Sequence, residues 1–286
     1  MMERFARSWE LVKASWRVLQ SDKELIVFPI ISFIGAIIVT LLFALPFFGV
    51  GIAQATNRLG DDGGVTVIGY IILFLFYIVL YAVIFFCNTA LVGAAMIRMN
   101  GGDPTVSDGF AIASKKLNHI IAYAIISATV GTILRAISER GGIIGQIASG
   151  IFGMAWNVVT FLVVPVLVIE DVGPVDAIKR SGSLLKKTWG EQLIGGLGLG
   201  AVFGLLWVVL IFVFMALFIA AAMAESFALM VLVGIVAVLT FITLGMVSSA
   251  LEGIYQAAVY RYAMGDDVSG FYDPELVSGA FKPKRG

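Results

Sequence analysis

The chain contains six stretches free of Asp, Glu, Lys and Arg that are long enough, as helices, to cross a lipid bilayer. Five are residues 25–53, 65–97, 141–169, 192–224 and 226–251, of 29, 33, 29, 33 and 26 residues. The sixth, residues 117–134, has 18 residues and carries Asn118 and His119 near its start. A helix needs about 20 mostly apolar residues to span the roughly 30 Å hydrocarbon core. Barrel strands would instead alternate apolar and polar residues over about ten positions, and runs such as residues 71–76, Ile-Ile-Leu-Phe-Leu-Phe, do not alternate. With 60% hydrophobic and only 13% charged residues, the chain has too few charges to clothe a soluble globule. A 33-residue helix reaches about 50 Å, so the longer runs must tilt, kink or protrude. Pro29, Pro46 and Pro165 are the expected kink sites. The last run is expected to stay helical through Glu252 to about Tyr262, because its apolar pattern resumes there.

The basic residues fix an orientation. Of the 19 Lys and Arg, 16 fall in the N-terminal segment, after the second and fourth spans and at the C-terminal end. Only Arg58, Arg135 and Arg140 fall on the other side. The positive-inside bias therefore places both termini in the cytoplasm. The first apolar run is too long for a cleavable signal and is expected to stay as an anchor. The one cysteine, Cys87, lies mid-span, so no intramolecular disulfide is possible.

A repeat underlies the hydrophobicity. Arg7-Ser8-Trp9-Glu10-Leu11-Val12-Lys13-Ala14-Ser15-Trp16 aligns with Arg180-Ser181-Gly182-Ser183-Leu184-Leu185-Lys186-Lys187-Thr188-Trp189 at a constant offset of 173. Arg, Ser, Leu, Lys and Trp are identical. A fainter copy, Ser114-Lys115-Lys116-Leu117, precedes the third span. The implied unit is an amphipathic interfacial helix followed by a transmembrane hairpin, occurring three times over residues 1–103, 104–172 and 173–265. A polar, loosely ordered cytoplasmic tail, 266–286, completes the chain. In the first copy Phe5, Trp9, Val12, Trp16 and Leu19 recur at helical spacing. This pattern makes Trp9, Trp16, Arg17, Lys186 and Trp189 candidate contacts to anionic lipid headgroups. An ordinary positively charged flank that happens to be helical is the plainer alternative. Asn100-Gly101-Gly102-Asp103-Pro104, Glu170-Asp171-Val172-Gly173-Pro174 and Gly265-Asp266-Asp267 read as helix stops.

Polar groups inside a membrane are the default functional candidates. Asn88, Asn157 and Glu252 lie 9 to 13 residues before the next charge on the cytoplasmic side, which puts them near mid-bilayer. Three hairpins around a pseudo-threefold axis would bring them together, with Gln146, Gln192 and Gln256 joining the network. Such a site either takes up a proton or cation at Glu252 or serves as hydrogen-bonding glue between helices. Gly196, Gly200 and Gly204 on the fifth span, and Gly245, Ser249, Gly253 and Ala257 on the sixth, have the four-residue spacing that lets helices approach, within one chain or between copies. His119 is the only histidine, so neither a transition-metal site nor a catalytic triad is expected. No phosphate loop, nucleophile elbow or zinc-protease motif occurs.

The stretch Arg7-Ser8-Trp9-Glu10-Leu11-Val12-Lys13-Ala14-Ser15-Trp16-Arg17-Val18-Leu19, then Asp22-Lys23-Glu24-Leu25 and Phe28-Pro29, resembles uncharacterised prokaryotic membrane proteins grouped as domain of unknown function 6159. The resemblance implies six helices and a bacterial or archaeal cytoplasmic membrane, and it supplies no activity and no catalytic residues. The expected fold is thus all-α: a polytopic membrane protein with six transmembrane helices in three hairpins. Two functions are expected from different classes. One is a non-enzymatic protein that organises lipid or a partner. The other is a small-solute or ion transporter or channel with Asn88, Asn157 and Glu252 on its path. Neither a cofactor nor a nucleic-acid partner is expected.

Overall fold

Helix boundaries fall where local chemistry stops or starts the backbone ladder. The computed structural model describes residues 2–55, 62–189, 199–268 and 270–279. In chain order its helices are α1 (Met2–Ser21), a 3-10 turn (Lys23–Ile26), α2 (Val27–Ala55), α3 (Asp62–Met99), α4 (Val106–Lys115) and α5 (Leu117–Arg140). There follow α6 (Gly142–Thr160), α7 (Val163–Ile169), α8 (Pro174–Trp189), α9 (Leu199–Met223), α10 (Phe227–Met264) and α11 (Pro274–Gly279). The Asp22 carboxylate caps the 3-10 turn by accepting from the Glu24 N–H at 3.1 Å. Thr105 and Asp108 form a reciprocal capping box on α4, and Ser226 caps α10. The Thr105 hydroxyl and N–H hold the Asp108 carboxyl below its ordinary range. Gly101 and Gly265, at φ of 84° and 89°, close α3 and α10 in the left-handed conformation that a Cβ disfavours. Both stops were expected from the sequence.

Six helices are long and apolar enough to cross a membrane: Lys23–Gly49, Val67–Met99, Leu117–Arg140, Gly142–Ile169, Val202–Met223 and Phe227–Met264. This is a multi-pass membrane protein. Along the bundle α2 packs on α3, α5 on α3 and α6, and α9 on α10, which also packs on α3. The single packed core joins α1, the last part of α3, α7, α8 and the last part of α10. Leu11, Leu91, Leu167, Leu185 and Tyr255 are among its fully buried side chains. We refer to this as the charged end, because the flanking Lys and Arg lie beside it. Toward the opposite end the large apolar side chains, such as Leu45, Ile144, Phe212 and Phe227, face outward.

The expected kinks resolve differently. Pro29 sits in the first turn of α2, where its missing N–H costs nothing, and α2 continues through Pro46. Pro165 has no N–H for the carbonyl of Phe161, four residues earlier, and there the chain breaks between α6 and α7. The Leu162 N–H released by that break donates to the buried Ser181 hydroxyl on α8 at 3.0 Å.

Burial agrees between the aligned copies at Leu11 and Leu184, Val12 and Leu185, and the exposed Lys13 and Lys186, but not at the next pair, where Ala14 is buried and Lys187 exposed. The faint third copy instead straddles the junction of α4 and α5 at Lys116. Part of the expected loose tail is ordered. Val268, Tyr272 and Val277 are buried, and α11 packs on α1. The Tyr272 hydroxyl donates to Ser15 Oγ at 2.7 Å, and Ser15 in turn donates to the Leu11 carbonyl at 3.0 Å. Burial there pushes the Tyr272 phenol above its usual range.

Candidate functional site

Three helix faces meet in one polar cleft at the inner edge of the packed core. On α3 the residues Ile84, Cys87, Asn88 and Leu91 lie at i, i+3, i+4 and i+7, so they share a face. Ser249, Glu252, Gly253 and Gln256 repeat that spacing on α10. Phe28, Pro29 and Ser32, from the start of α2, complete the walls of a cleft of about 190 Å³.

Gly253 sets the distance between α3 and α10. A Cβ there would meet Leu91 Cδ2 at 2.5 Å and Asn88 Oδ1 at 3.1 Å, so the helices could not approach as closely with any other residue. Cys87 is buried at the back, while Asn88, Ser32 and Gln256 are half-buried. Ser249 and Glu252 stand exposed at the mouth, so the cleft opens sideways from the bundle. Gln256 Oε1 is buried without a hydrogen-bond donor. Among the described residues no cation pairs with Glu252, although seven other ion pairs form. The lining therefore holds a carboxylate without a counter-charge among the described residues and an amide oxygen without a donor.

The charged end of the molecule is satisfied differently. Glu170 accepts from Arg180 Nε at 2.9 and 3.1 Å and from the Tyr260 hydroxyl at 3.1 Å. Lys116 pairs with Asp171 at 3.1 Å, and Arg98 with Asp103 at 3.0 Å. These pairs tie α8, α10 and the loops before α4, α5 and α8 together. Among the described residues no group of three or more His, Cys, Asp or Glu side chains is placed to hold a metal ion.

A family model described as a family of unknown function, DUF6159, matches residues 67–271. The chain belongs to this family. The DUF6159 match takes in α3 through α10 and thus the α3 and α10 walls of the cleft, but it begins after the N-terminal stretch that carries the sequence resemblance. No curated protein matches this DUF6159 chain.

Of the three polar groups expected to converge in this DUF6159 protein, Asn88 and Glu252 share the cleft and Asn157 does not. Asn157 is exposed on α6, as is Gln146, because spacing to the next charge sets height along a helix and not the direction faced. Gln192 and Gly196 lie outside the described residues. Gly200 and Gly204 face open space, with nothing within 4 Å of an added Cβ, so they bring no helices of this chain together. Trp9 and Trp16 are exposed, as is Lys186. Arg17 is exposed, and its Nη2 donates to the Phe271 carbonyl at 2.9 Å. Trp189 is the last residue of α8, and its side chain lies outside the description. Sequence reasoning missed Ser32 and Cys87 as cleft residues and read Ser249 only as packing. The shared i, i+3, i+4, i+7 spacing around Asn88 and Glu252 was the signal available.

Proposed function

We propose that this protein is a non-enzymatic protein of the cytoplasmic membrane, both termini inside, that binds and organises lipid at the cytoplasmic leaflet. In this reading α1, α4 and α8 are interfacial helices, each leading into a pair of spans. One observation supports it most. α1 turns Leu11, Ala14, Ser15 and Val18 into the bundle, yet leaves Trp9 45% and Trp16 41% exposed, seven residues apart and so on one side. Tryptophans so placed are costly in water and favourable at the headgroup boundary. Lys186 and Lys187, exposed in the last turn of α8 with no acidic partner among the described residues, supply attraction to anionic headgroups. The transport reading drew on three converging polar groups; with Asn157 elsewhere, lipid binding is preferred.

The test is lipid retention after purification from mixed bilayers. With Lys186→Glu and Lys187→Glu together, the ratio of retained anionic to zwitterionic lipid is expected to fall about thirty-fold or more, since each basic residue near an anionic surface contributes about 1 kcal/mol and reversal adds repulsion. An unchanged ratio removes the support for this reading.

A further inference from the structure

The cleft on α3 and α10 lies more than the thickness of the hydrocarbon core, measured along these helices, from the far ends of the spans. Counting from the charged end puts Glu252 near mid-bilayer only if Arg261 sits at the membrane surface. The structure gives a second ruler, from the other end. α9 crosses with Val202–Met223, 22 residues or about 33 Å, and then turns into α10. On α10, Glu252 lies 25 residues beyond Phe227, about 38 Å along the axis. On α3, Asn88 lies 21 residues beyond Val67, about 32 Å. Both distances exceed the roughly 30 Å core. Past Glu252, α10 is clothed by protein rather than lipid: Ala250–Tyr260 are almost all buried, and α1, α7 and α8 pack on this helix.

We infer that this cleft binds the primary ammonium of an amine-bearing phospholipid headgroup, with Glu252 as the charge partner and Gln256 Oε1 as a second acceptor. The inference deepens the lipid-binding reading and rests on it, through a site separate from the basic helices. A primary ammonium brings a positive charge and three N–H donors to a lining that holds a carboxylate with no cation beside it among the described residues and a buried amide oxygen with no donor. A quaternary choline group has none to give and is ordinarily held by an aromatic cage, whereas the one aromatic ring lining this cleft is the buried Phe28. The volume, about 190 Å³, is below the roughly 300–1,000 Å³ of sites for drug-sized solutes and suits a small polar group. The lateral mouth at Ser249 and Glu252 admits a group that arrives within the leaflet.

The experiment uses the full chain in nanodiscs of equimolar phosphatidylethanolamine and phosphatidylcholine, with retained lipid counted by native mass spectrometry. The wild type is expected to retain the ethanolamine lipid about ten-fold over the choline lipid, the range of a charge-assisted hydrogen bond. Glu252→Gln, nearly isosteric, is expected to abolish that preference while helical content and melting temperature hold. Ser249→Leu, which fills the mouth and leaves the carboxylate, is expected to do the same. Equal retention by the wild type, or a preference that survives both variants, overturns the proposal. Stabilisation by free ethanolamine or by sodium or potassium ions in choline-only discs, lost in Glu252→Gln, overturns the lipid source in favour of a soluble amine or cation. Loss of the amine preference with dimerisation through this face overturns it in favour of a second copy. An anionic-lipid ratio unchanged by Lys186 and Lys187 reversal, with the amine preference intact, overturns the basic-helix reading alone, and a ratio that falls while the wild type shows no amine preference overturns this proposal alone.

Discussion

Two stripes of small residues with the same four-residue spacing behave differently on two neighbouring helices, α9 and α10. At the charged end, Gly253 lies against Leu91 and Asn88, and removing its hydrogen for any side chain meets atoms at 2.5 Å. At the same end of the molecule, Gly200 and Gly204 near the start of α9 are exposed and meet nothing within 4 Å. The difference separates the seam between α3 and α10, whose cohesion comes from close packing, from a face of α9 that is turned outward. Small-residue spacing reports a capacity for close approach, and only the fold says whether it is used. It also explains why the polar cleft is where it is: polar atoms are tolerated at the seam where packing replaces lipid.

The comparison can be broken by substitution. The largest effect is expected at Gly253→Leu, which must push α3 from α10. Overpacking of this kind costs about 1–3 kcal/mol or more, read as a lowered unfolding midpoint in mild detergent. Gly204→Leu, by contrast, should leave the monomer's midpoint within about 0.5 kcal/mol of wild type. If the two substitutions cost the same, the asymmetry of packing is wrong. Next comes Ser181→Ala, which strands the Leu162 N–H at the Pro165 break. An unsatisfied buried donor costs about 1–3 kcal/mol, and Ser181→Thr should recover part of it by keeping the hydroxyl.

A smaller effect tests the entry to α2. Asp22 is buried, its Oδ2 has no partner, and desolvation raises its carboxyl above the ordinary value of 3.8 despite the Glu24 N–H and the Arg98 charge. The folded chain therefore binds that proton more tightly than the unfolded chain. Stability linked to this group is fully present in acid and declines as pH rises through the folded-state value. Asp22→Asn keeps the cap acceptor without the charge, so its gain over wild type should be largest at neutral pH and vanish in acid. Asp22→Ala loses the cap as well and should lie about 1 kcal/mol below Asp22→Asn at either pH. A pH-independent difference for Asp22→Asn would contradict this account of the carboxyl.

Much of the fold was legible because it depends on local or one-dimensional signals. Uncharged length located the spans, Gly101 and Gly265 marked the ends of α3 and α10, and the Pro165 break followed from one missing N–H. The direction each helix faces was less legible. On α1 the stripe of Phe5, Trp9, Val12, Trp16 and Leu19 marked the membrane-facing side, but no such pattern pointed to Ala14 and Ser15, which the bundle accepts because their small size lets helices pack closely. For the site, Asn88 and Glu252 were found because intramembrane polar residues are costly, yet height along a helix could not distinguish them from Asn157. The docking of Tyr272 on Ser15 joins residues 257 positions apart, which no local pattern encodes.

The depth of the cleft is the claim on which the rest depends. A nitroxide attached at Ser249→Cys, in a Cys87→Ser background and reconstituted in bilayers, reports depth through its relative relaxation by oxygen and by a water-soluble nickel chelate. The account predicts a label within about 5 Å of the headgroup boundary, strongly relaxed by the nickel reagent; a label about 15 Å deeper, at the centre of the hydrocarbon core, would contradict it.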